Sequence, residues 1–272
     1  MDPEKMIISI SAYTADMSSA LRQHWIWRPL SHHDLRRRFR RSVFGVLWIV
    51  FQQMFFAVGA GLLWSTLFGV DARSFIPFVA SGLAVWSFIT GSYTSGCSTF
   101  SQAQVYLKQI PVNSSIFIYR MLYTNLVILF IGVLTSFFLV SILLPQNIGW
   151  GTLLVLPGIG MVAAAAFVTT QTLAYIGMRF RDVQHALPSL FQLLFVLTPI
   201  LYPIDILRAR GLEITEFINP FTSIIEVIRA PLINGVAAQW PHYAIVIAYI
   251  VVFQVLSVAV HARWKHEMPY WL

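Results

Sequence analysis

Long apolar runs are the feature that most constrains this chain. A helix that crosses a membrane needs about 20 mostly apolar residues. The runs are Phe44–Phe68, Phe75–Ser98, Ser115–Leu144, Thr152–Ile176, Leu187–Ile204 and Tyr243–Val260. No series of alternating ten-residue strands is present, so the runs predict helices. We therefore predict an all-α integral membrane protein with six transmembrane helices per subunit.

Composition excludes the common soluble classes. Charged residues make up 11% of the chain and hydrophobic residues 57%, whereas a soluble domain carries about 25% charged residues. So little polar surface excludes a disordered chain and an ordinary cytosolic enzyme. The single cysteine, Cys97, leaves no intramolecular disulfide and no cysteine-based metal site.

The distribution of charge predicts the orientation. If the N-terminal side is cytoplasmic, 14 of the 18 basic residues face the cytoplasm, as the positive-inside rule requires. Both termini are then cytoplasmic, and the net charge of +7 is explained without nucleic acid. The predicted organisation is a cytoplasmic N-terminal segment (1–43), a six-span transmembrane domain (44–260) and a cytoplasmic tail (261–272).

The apolar runs carry no ionisable residue near their centres, and Arg120 lies close to the end of its run. Intramembrane charges normally mark ion paths or proton relays. The sequence also lacks a GxxxxGK[ST] phosphate loop. The seven histidines show no metal-binding spacing, and we expect all of them to be solvated or interfacial. We therefore expect no catalytic residue and no metal site, and a conduit that another subunit drives.

The N-terminal segment carries two features. Thr14–Arg28 is predicted to be a short amphipathic helix in the headgroup layer, because tryptophan next to basic residues favours that layer. An arginine cluster follows and suits anionic lipid or a diphosphate headgroup; the alternative is that it only sets the topology. Its members are Arg36, Arg37, Arg38, Arg40 and Arg41.

Two connections between the spans stand out. The loop 99–114 is predicted to be helical up to Ile110, where Pro111 stops the helix. The outer segment 207–235 contains Asn219-Pro220, a typical helix start, followed by apolar residues at helical spacing. This second helix is too short to cross the membrane, so we expect re-entrant or interfacial gate helices between the fifth and sixth spans. The alternative is a purely structural cap.

Aromatic residues recur at helical spacing in the first two spans. Trp48, Phe51 and Phe55 share one face, as do Trp86 and Tyr93. Such faces suit the apolar sides of sugar rings, while helix packing or lipid contact is the alternative. Small residues at Ala57-xxx-Gly61 and Gly160-xxx-Ala164 predict close helix approach.

Three stretches together resemble the permease subunits of ABC exporters for bacterial cell-surface polysaccharides of the O-antigen, capsule and teichoic-acid types. The first is Asp34–Trp48 (DLRRRFRRSVFGVLW). The second is Arg179–Pro188 (RFRDVQHALP), followed by Thr198–Pro203 (TPILYP). The third is Asn219–Ala230 (NPFTSIIEVIRA). Their order and spacing cover the chain from about residue 30 to residue 235.

The resemblance implies an assembly and a cargo. It implies a homodimer in the bacterial inner membrane with two copies of a separate ATPase, which binds the ATP and Mg²⁺, so that this chain needs no cofactor. The implied cargo is an undecaprenyl-diphosphate-linked polysaccharide, with O-antigen as the first expectation.

The resemblance also implies roles for particular residues. The aromatic faces, for their part, predict a substrate pathway that comprises Trp48, Phe51, Phe55, Trp86, Tyr93 and Tyr202. ATPase coupling is implied for Gln104, Lys108 and Pro111, and an external gate for Phe221, Ile225, Glu226 and Arg229.

Two other functions remain open from the sequence alone. An ABC permease for a drug or a small lipid shares the architecture and differs only in cargo. A membrane glycosyl- or acyltransferase for lipid-linked substrates needs a polar pair near the interface, and Asp182 with His185 is the nearest cytoplasmic pair.

Overall fold

The structure is a computed structural model of the chain and describes residues 3–110, 112–208, 211 and 214–271. Within those residues the regular secondary structure is helical, which confirms the all-α prediction. In chain order the helices are α1 (Pro3–Arg22), α2 (His24–Arg38), α3 (Leu47–Phe68), α4 (Ala72–Gln102), α5 (Gln104–Gln109), α6 (Ser115–Leu143), α7 (Val155–Arg179), α8 (Arg181–Leu197), α9 (Ile204–Arg208), α10 (Ile214–Ile218), α11 (Pro220–Asn234), α12 (Trp240–Trp264) and α13 (Met268–Trp271). Two short 3-10 helices, Pro145–Asn147 and Trp150–Leu154, connect α6 to α7.

Among the described residues, five helices are long and apolar enough to cross a membrane, namely α3, α4, α6, α7 and α12. The remaining apolar run, predicted at Leu187–Ile204, is instead helical from Arg181 to Leu197. The helix stops there because Thr198 precedes Pro199, and a residue before proline is disfavoured in the α conformation. Thr198 is accordingly extended, with φ −100° and ψ 132°. At 17 residues, α8 is shorter than the other five.

Helix α4 lies at the centre of the bundle. It contacts α3, α6, α7, α8 and α11. Of its most apolar 18-residue stretch, 67% is buried inside the protein. The corresponding share is 11% for both α3 and α12. These two helices therefore lie at the edges, with apolar faces free to meet lipid or another subunit.

Small residues set the closest helix contacts. A Cβ atom at Gly61 on α3 would come within 2.6 Å of Ile76 Cγ1 on α4, and Ala57 is fully buried, so the first predicted pair is confirmed. The second prediction is wrong, since Gly160 faces open space. Gly158 makes the close approach on α7 instead, because a Cβ atom there would lie 2.5 Å from the Val227 carbonyl oxygen.

The N-terminal segment forms two helices where the sequence predicts one at Thr14–Arg28. The chain turns at Gln23, with φ −80° and ψ 40°, and this turn separates α1 from α2. Leu21 and Trp25 are exposed, as expected for side chains that face a headgroup layer.

Helix α1 is also packed into the bundle through buried polar contacts. The hydroxyl of Tyr13 donates a hydrogen bond to Gln171 on α7. Asp16 accepts a hydrogen bond from His261 Nε2 at 3.0 Å and pairs with Lys265 at the end of α12. Helix α1 is therefore part of the folded core as well as an amphipathic surface helix.

Candidate functional site

Aromatic side chains form a column along the start of α3. We call this column the α3 aromatic face; it consists of Phe44, Trp48, Phe51 and Phe55. The ring centroids are 5.6 Å apart for Phe44 and Trp48, 6.2 Å for Trp48 and Phe51, and 6.2 Å for Phe51 and Phe55. Trp48 is 49% exposed and Phe55 is 72% exposed. Exposed rings offer flat apolar surface, which suits the C–H face of a pyranose.

Trp86 and Tyr93 occupy a different environment. Both are buried, and both pack against the rings of Phe191 and Phe221 at centroid distances of 5.8 to 6.4 Å. Phe221 is a predicted gate residue, whereas Phe191 was not predicted, although Phe191 and Phe195 are spaced four apart and so share a face of α8. The structure thus places Trp86 and Tyr93 in the core, and their pathway role stays a prediction.

Tyr202 lies in the turn between α8 and α9. It is half-buried, and its hydroxyl donates to the Val196 carbonyl oxygen at 3.3 Å. Among the ring contacts of the described residues, none joins Tyr202 to the α3 aromatic face or to Trp86 and Tyr93. The six predicted pathway residues therefore lie in three separate places: on the α3 aromatic face, in the core at Trp86 and Tyr93, and in the turn at Tyr202.

The arginine cluster closes α2 and continues into the following turn. Arg36, Arg37 and Arg38 form the last turn of α2, and Arg40 and Arg41 follow it. All five side chains are exposed. Positive charge at a helix C-terminus is favoured by the helix dipole, so this placement stabilises α2 and leaves the guanidinium groups accessible to anions.

Arg120 on α6 is paired with Asp34 on α2. Arg120 Nε donates to Asp34 Oδ2 and Arg120 Nη2 donates to Asp34 Oδ1, both at 2.6 Å. A planar guanidinium and a carboxylate match in this two-point geometry. The ion pair therefore ties α2 to α6 and compensates the charge that the sequence places near the end of a span.

Two cavities lie beside the arginine cluster and meet at Arg38. The polar cavity, of about 410 Å³, lies between α2, α4, α5 and α6, and Arg37 and Asn125 contribute to its wall. The apolar cavity, of about 270 Å³, lies between α3, α4 and α6, and much of its wall is aliphatic, including Leu83 and Ile128. Small-ligand sites usually measure about 300–1,000 Å³, so the polar cavity is large enough to hold a ligand.

The loop predicted to couple to an ATPase is helical, as expected. Helix α5 follows α4 after the single residue Ala103, and the chain becomes extended at Ile110. Lys108 is exposed and Gln104 is half-buried, so α5 presents a basic side chain to solvent. Pro111 lies outside the described residues.

The predicted external gate region forms the end of α9, α10 and α11; residues 209, 210, 212 and 213 of this segment lie outside the described part of the chain. Helix α11 begins where the sequence predicts, at Asn219-Pro220. The side chain of Asn219 caps it by accepting a hydrogen bond from the Phe221 amide at 3.0 Å. Phe221 and Ile225 both face the core.

Arg229 on α11 carries its charge into the protein interior. It is 3% exposed, and its Nη1 donates to Glu226 Oε1 at 2.8 Å and to the Pro199 carbonyl oxygen at 3.0 Å. The guanidinium carbon lies 3.9 Å from the centroid of the Phe78 ring, a cation–π contact. Burial lowers the pKa of Arg229 from its ordinary value, and the neighbouring Glu226 opposes that shift. A Cβ atom at Gly82 would lie 2.3 Å from Arg229 Nη2.

Two histidines are buried, so the expectation that all seven are solvated or interfacial is wrong. His242 Nε2 lies 3.3 Å from Glu216 Oε1, and its Nδ1 lies 3.1 Å from Ser223 Oγ. Glu216 is also bound by Arg208, which donates from Nε and Nη2. The second buried histidine is His261. No local spacing signals these contacts, because each joins separate helices.

The alternative catalytic pair lies on the first turns of α8. Asp182 and His185 are both exposed. The structure thus places this pair at the surface of α8.

Comparisons with known proteins agree over most of the chain. The ABC-2 type transporter family matches residues 28–233. Three similar proteins are each named O-antigen export system permease protein RfbA. One from Klebsiella pneumoniae is 27% identical over 213 residues, which covers 76% of this chain and 80% of the relative.

The other two relatives are similar at the same level. One from Myxococcus xanthus is 26% identical over 204 residues, covering 74% of this chain and 77% of the relative. A second from Klebsiella pneumoniae is 24% identical over 240 residues, covering 88% of this chain and 91% of the relative. The family match begins within α2 and ends within α11, so it includes the arginine cluster, the α3 aromatic face and Arg229. The chain belongs to the ABC-2 type transporter family.

Proposed function

We propose that this chain is the permease subunit of an ATP-driven exporter of an undecaprenyl-diphosphate-linked polysaccharide, with O-antigen as the specific cargo. The cargo moves from the cytoplasmic side to the outer side of the bacterial inner membrane. The observation that carries this proposal is the similarity to three O-antigen export permeases over 74% to 88% of the chain. The exposed α3 aromatic face supports a glycan cargo independently.

The proposed assembly is a homodimer with two copies of an ATPase. The exposed apolar face of α3 supports contact with a second subunit, since 11% of its most apolar 18-residue stretch is buried within this one. Helix α5, with Gln104 and Lys108, is the proposed ATPase contact, together with Pro111. ATP and Mg²⁺ are bound by the partner ATPase in this scheme.

The proposed topology has six spans and two cytoplasmic termini. Helix α8, with the residues that follow it, forms the fifth span in this scheme, and the distribution of basic residues supports the orientation. Helices α9, α10 and α11 then form the external gate, with Phe221, Ile225, Glu226 and Arg229 as its side chains. Helices α1 and α2 lie at the cytoplasmic interface.

The proposed path of the glycan follows aromatic surfaces. The α3 aromatic face offers contacts without a fixed register, and Tyr202 extends the path near the external gate. Trp86 and Tyr93 are proposed to support the path from the core. The arginine cluster binds the diphosphate at the cytoplasmic side, because guanidinium groups match phosphate geometry.

The location of lipid-linked polymer in cells that make the glycan but lack this protein tests the proposal. We expect full-length polymer to accumulate on the cytoplasmic side, because synthesis precedes export. Truncated or absent polymer would instead indicate an enzyme. Normal surface polymer would show that the cargo is a different molecule.

A further inference from the structure

The polar cavity and the apolar cavity share Arg38. Together they form a site with three chemically different parts: a polar part, a cationic part at Arg38 and an apolar part. The polar cavity carries guanidinium groups and neutral polar side chains. The apolar cavity carries aliphatic side chains, such as Leu83 and Ile128, beside the neutral polar side chains of Gln52, Gln53 and Ser87. Arg38 lines both. A ligand that fills both cavities therefore needs a polar part, an anionic joint and an apolar part, in that order.

The charge at the junction is positive. Three guanidinium groups line the polar cavity, from Arg37, Arg38 and Arg120, against the single carboxylate of Asp34. That carboxylate is engaged at both oxygens by Arg120. Arg37 and Arg38 thus supply an excess of two positive charges, which complements a diphosphate diester with one negative charge on each phosphate.

The neutral part of the polar cavity offers groups that suit a sugar. The hydroxyl of Thr99 donates to the Ser95 carbonyl oxygen at 2.8 Å, and that of Thr124 donates to the Arg120 carbonyl oxygen at 3.0 Å. Both hydroxyl oxygens therefore remain able to accept hydrogen bonds from a ligand. The Asn125 amide lines the same wall, and it provides both a donor and an acceptor.

Among the polar side chains that line the apolar cavity, the Gln53 amide nitrogen is bonded to the protein itself. Gln53 Nε2 lies 3.0 Å from the carbonyl oxygens of Ala80 and Gly132 and from Ser136 Oγ. This amide nitrogen is engaged by the protein, so it does not demand a polar ligand. Ile49 and Ile128 contribute aliphatic surface beside it, which suits a hydrocarbon chain.

We propose that these two cavities form one binding site for the head of a polyprenyl-diphosphate-linked glycan. Arg37 and Arg38 bind the diphosphate, the polar cavity binds the sugar next to it, and the apolar cavity binds the first isoprene units. This inference rests on the proposed function and adds to it a recognition site within a single subunit. The sugar attached to the diphosphate thereby contributes to the selection of cargo.

Binding to the full-length protein in lipid nanodiscs tests the site with three probes. They are undecaprenyl diphosphate N-acetylglucosamine, undecaprenyl diphosphate, and UDP-N-acetylglucosamine, which lacks the lipid. We expect the first to bind most tightly and the third to bind at least tenfold more weakly. Arg38→Gln should weaken both lipids about tenfold, because a charge-assisted hydrogen bond is lost.

Two further variants separate the parts of the site. Asn125→Leu should weaken the sugar-bearing lipid several-fold and leave undecaprenyl diphosphate unchanged. Arg28→Gln is the matched control, because Arg28 is exposed on the same helix as Arg38 and lines neither cavity; its affinities should equal those of the wild type.

The outcomes distinguish this inference from the proposed function. Equal affinities in Arg38→Gln and Arg28→Gln would overturn the site, even if polymer accumulates in cells that lack the protein. Equal losses for both lipids in Asn125→Leu would overturn the assignment of the sugar to the polar cavity. The expected binding pattern combined with normal surface polymer in the deletion strain would support the site and remove the export function.

Discussion

At the scale of single residues, Gly82 and Arg229 form a matched pair on two helices. The Arg229 guanidinium occupies the space above Gly82 on α4, at a distance that leaves no room for a Cβ atom. The interior tolerates this charge because Glu226, the Pro199 carbonyl and the Phe78 ring all contact it. A buried charge without such partners is strongly destabilising.

Gly82→Ala should therefore destabilise the protein by about 1–3 kcal/mol, the range for overpacking a close contact. Thermal unfolding of the purified protein measures this change. Gly91→Ala on the same helix is the control, because a Cβ atom there would make only an ordinary contact of 3.5 Å with Asn125 Oδ1. Equal stability of the two variants would show that Arg229 moves aside freely.

At the scale of helices, α1 depends on polar contacts with distant parts of the chain. Asp16→Ala should destabilise the protein by about 1–3 kcal/mol, because the His261 and Lys265 side chains lose their partner. It should also make α1 more sensitive to limited proteolysis. Ser18→Ala serves as the control, since Ser18 is exposed and bonds only within its own helix. Identical digestion of the two variants would contradict the anchoring of α1.

The α3 aromatic face should matter for transport and not for folding. Replacing Trp48, Phe51 and Phe55 together by alanine should slow polymer export while the protein still assembles, because Trp48 and Phe55 are exposed and Phe51 is only half-buried. Pulse-labelled appearance of surface polymer measures the rate. Unchanged export in the triple variant would remove α3 from the path.

Tyr93→Ala should behave in the opposite way. Tyr93 is buried among the rings of Phe191 and Phe221, and truncation of a large buried side chain costs about 3–5 kcal/mol. We expect a lower yield of folded protein, measured by size-exclusion chromatography. Normal yield with slow export would place Tyr93 on the path itself.

Helix α5 should mediate contact with the ATPase. Lys108→Glu should reduce the amount of ATPase that co-purifies, because Lys108 is exposed and its charge is reversed. Arg263→Glu is the control, since Arg263 is an exposed basic residue at the end of α12. Equal co-purification with both variants would place the contact elsewhere.

Local chemistry decided which features were predictable from the sequence. The start of α11 was predictable, because an Asn cap and a proline at the first helical position act within a few residues. The end of α8 was missed because hydropathy favoured a run to Ile204, whereas Pro199 acts on the backbone of Thr198. The bonds from Tyr13 to Gln171 and from Asp34 to Arg120 join separate helices, and no sequence spacing encodes them.

At the scale of the whole molecule, the two edge helices differ in chemistry. Helix α3 carries the aromatic column, and α12 exposes aliphatic side chains such as Val251 and Val252. A shared glycan path requires α3 to face the second subunit. Leu62→Cys on α3 should therefore form a disulfide between subunits in membranes under oxidation, because Leu62 is 51% exposed and follows Phe55 by seven residues, which places it on the same helix face.

Val251→Cys on α12 should form no disulfide between subunits in the same experiment, because that face meets lipid in the proposed dimer. The native Cys97 is buried and should not interfere. Cross-linking through α12 instead of α3 would move the subunit interface, and with it the glycan path, to the opposite edge.

The connection between α4 and α5 determines how a displacement of α5 reaches the rest of the protein. The main-chain hydrogen bonds continue through Ala103, whose amide donates to Thr99 and whose carbonyl accepts from Leu107. Together the two helices extend over residues 72–109. A displacement applied to α5 therefore enters α4 at Ala103, and the far end of α4 contains the Phe78 ring beneath Arg229. Ala103, with φ −88° and ψ 3°, interrupts the regular helix, so any motion of α5 must pass through this one residue to reach Arg229.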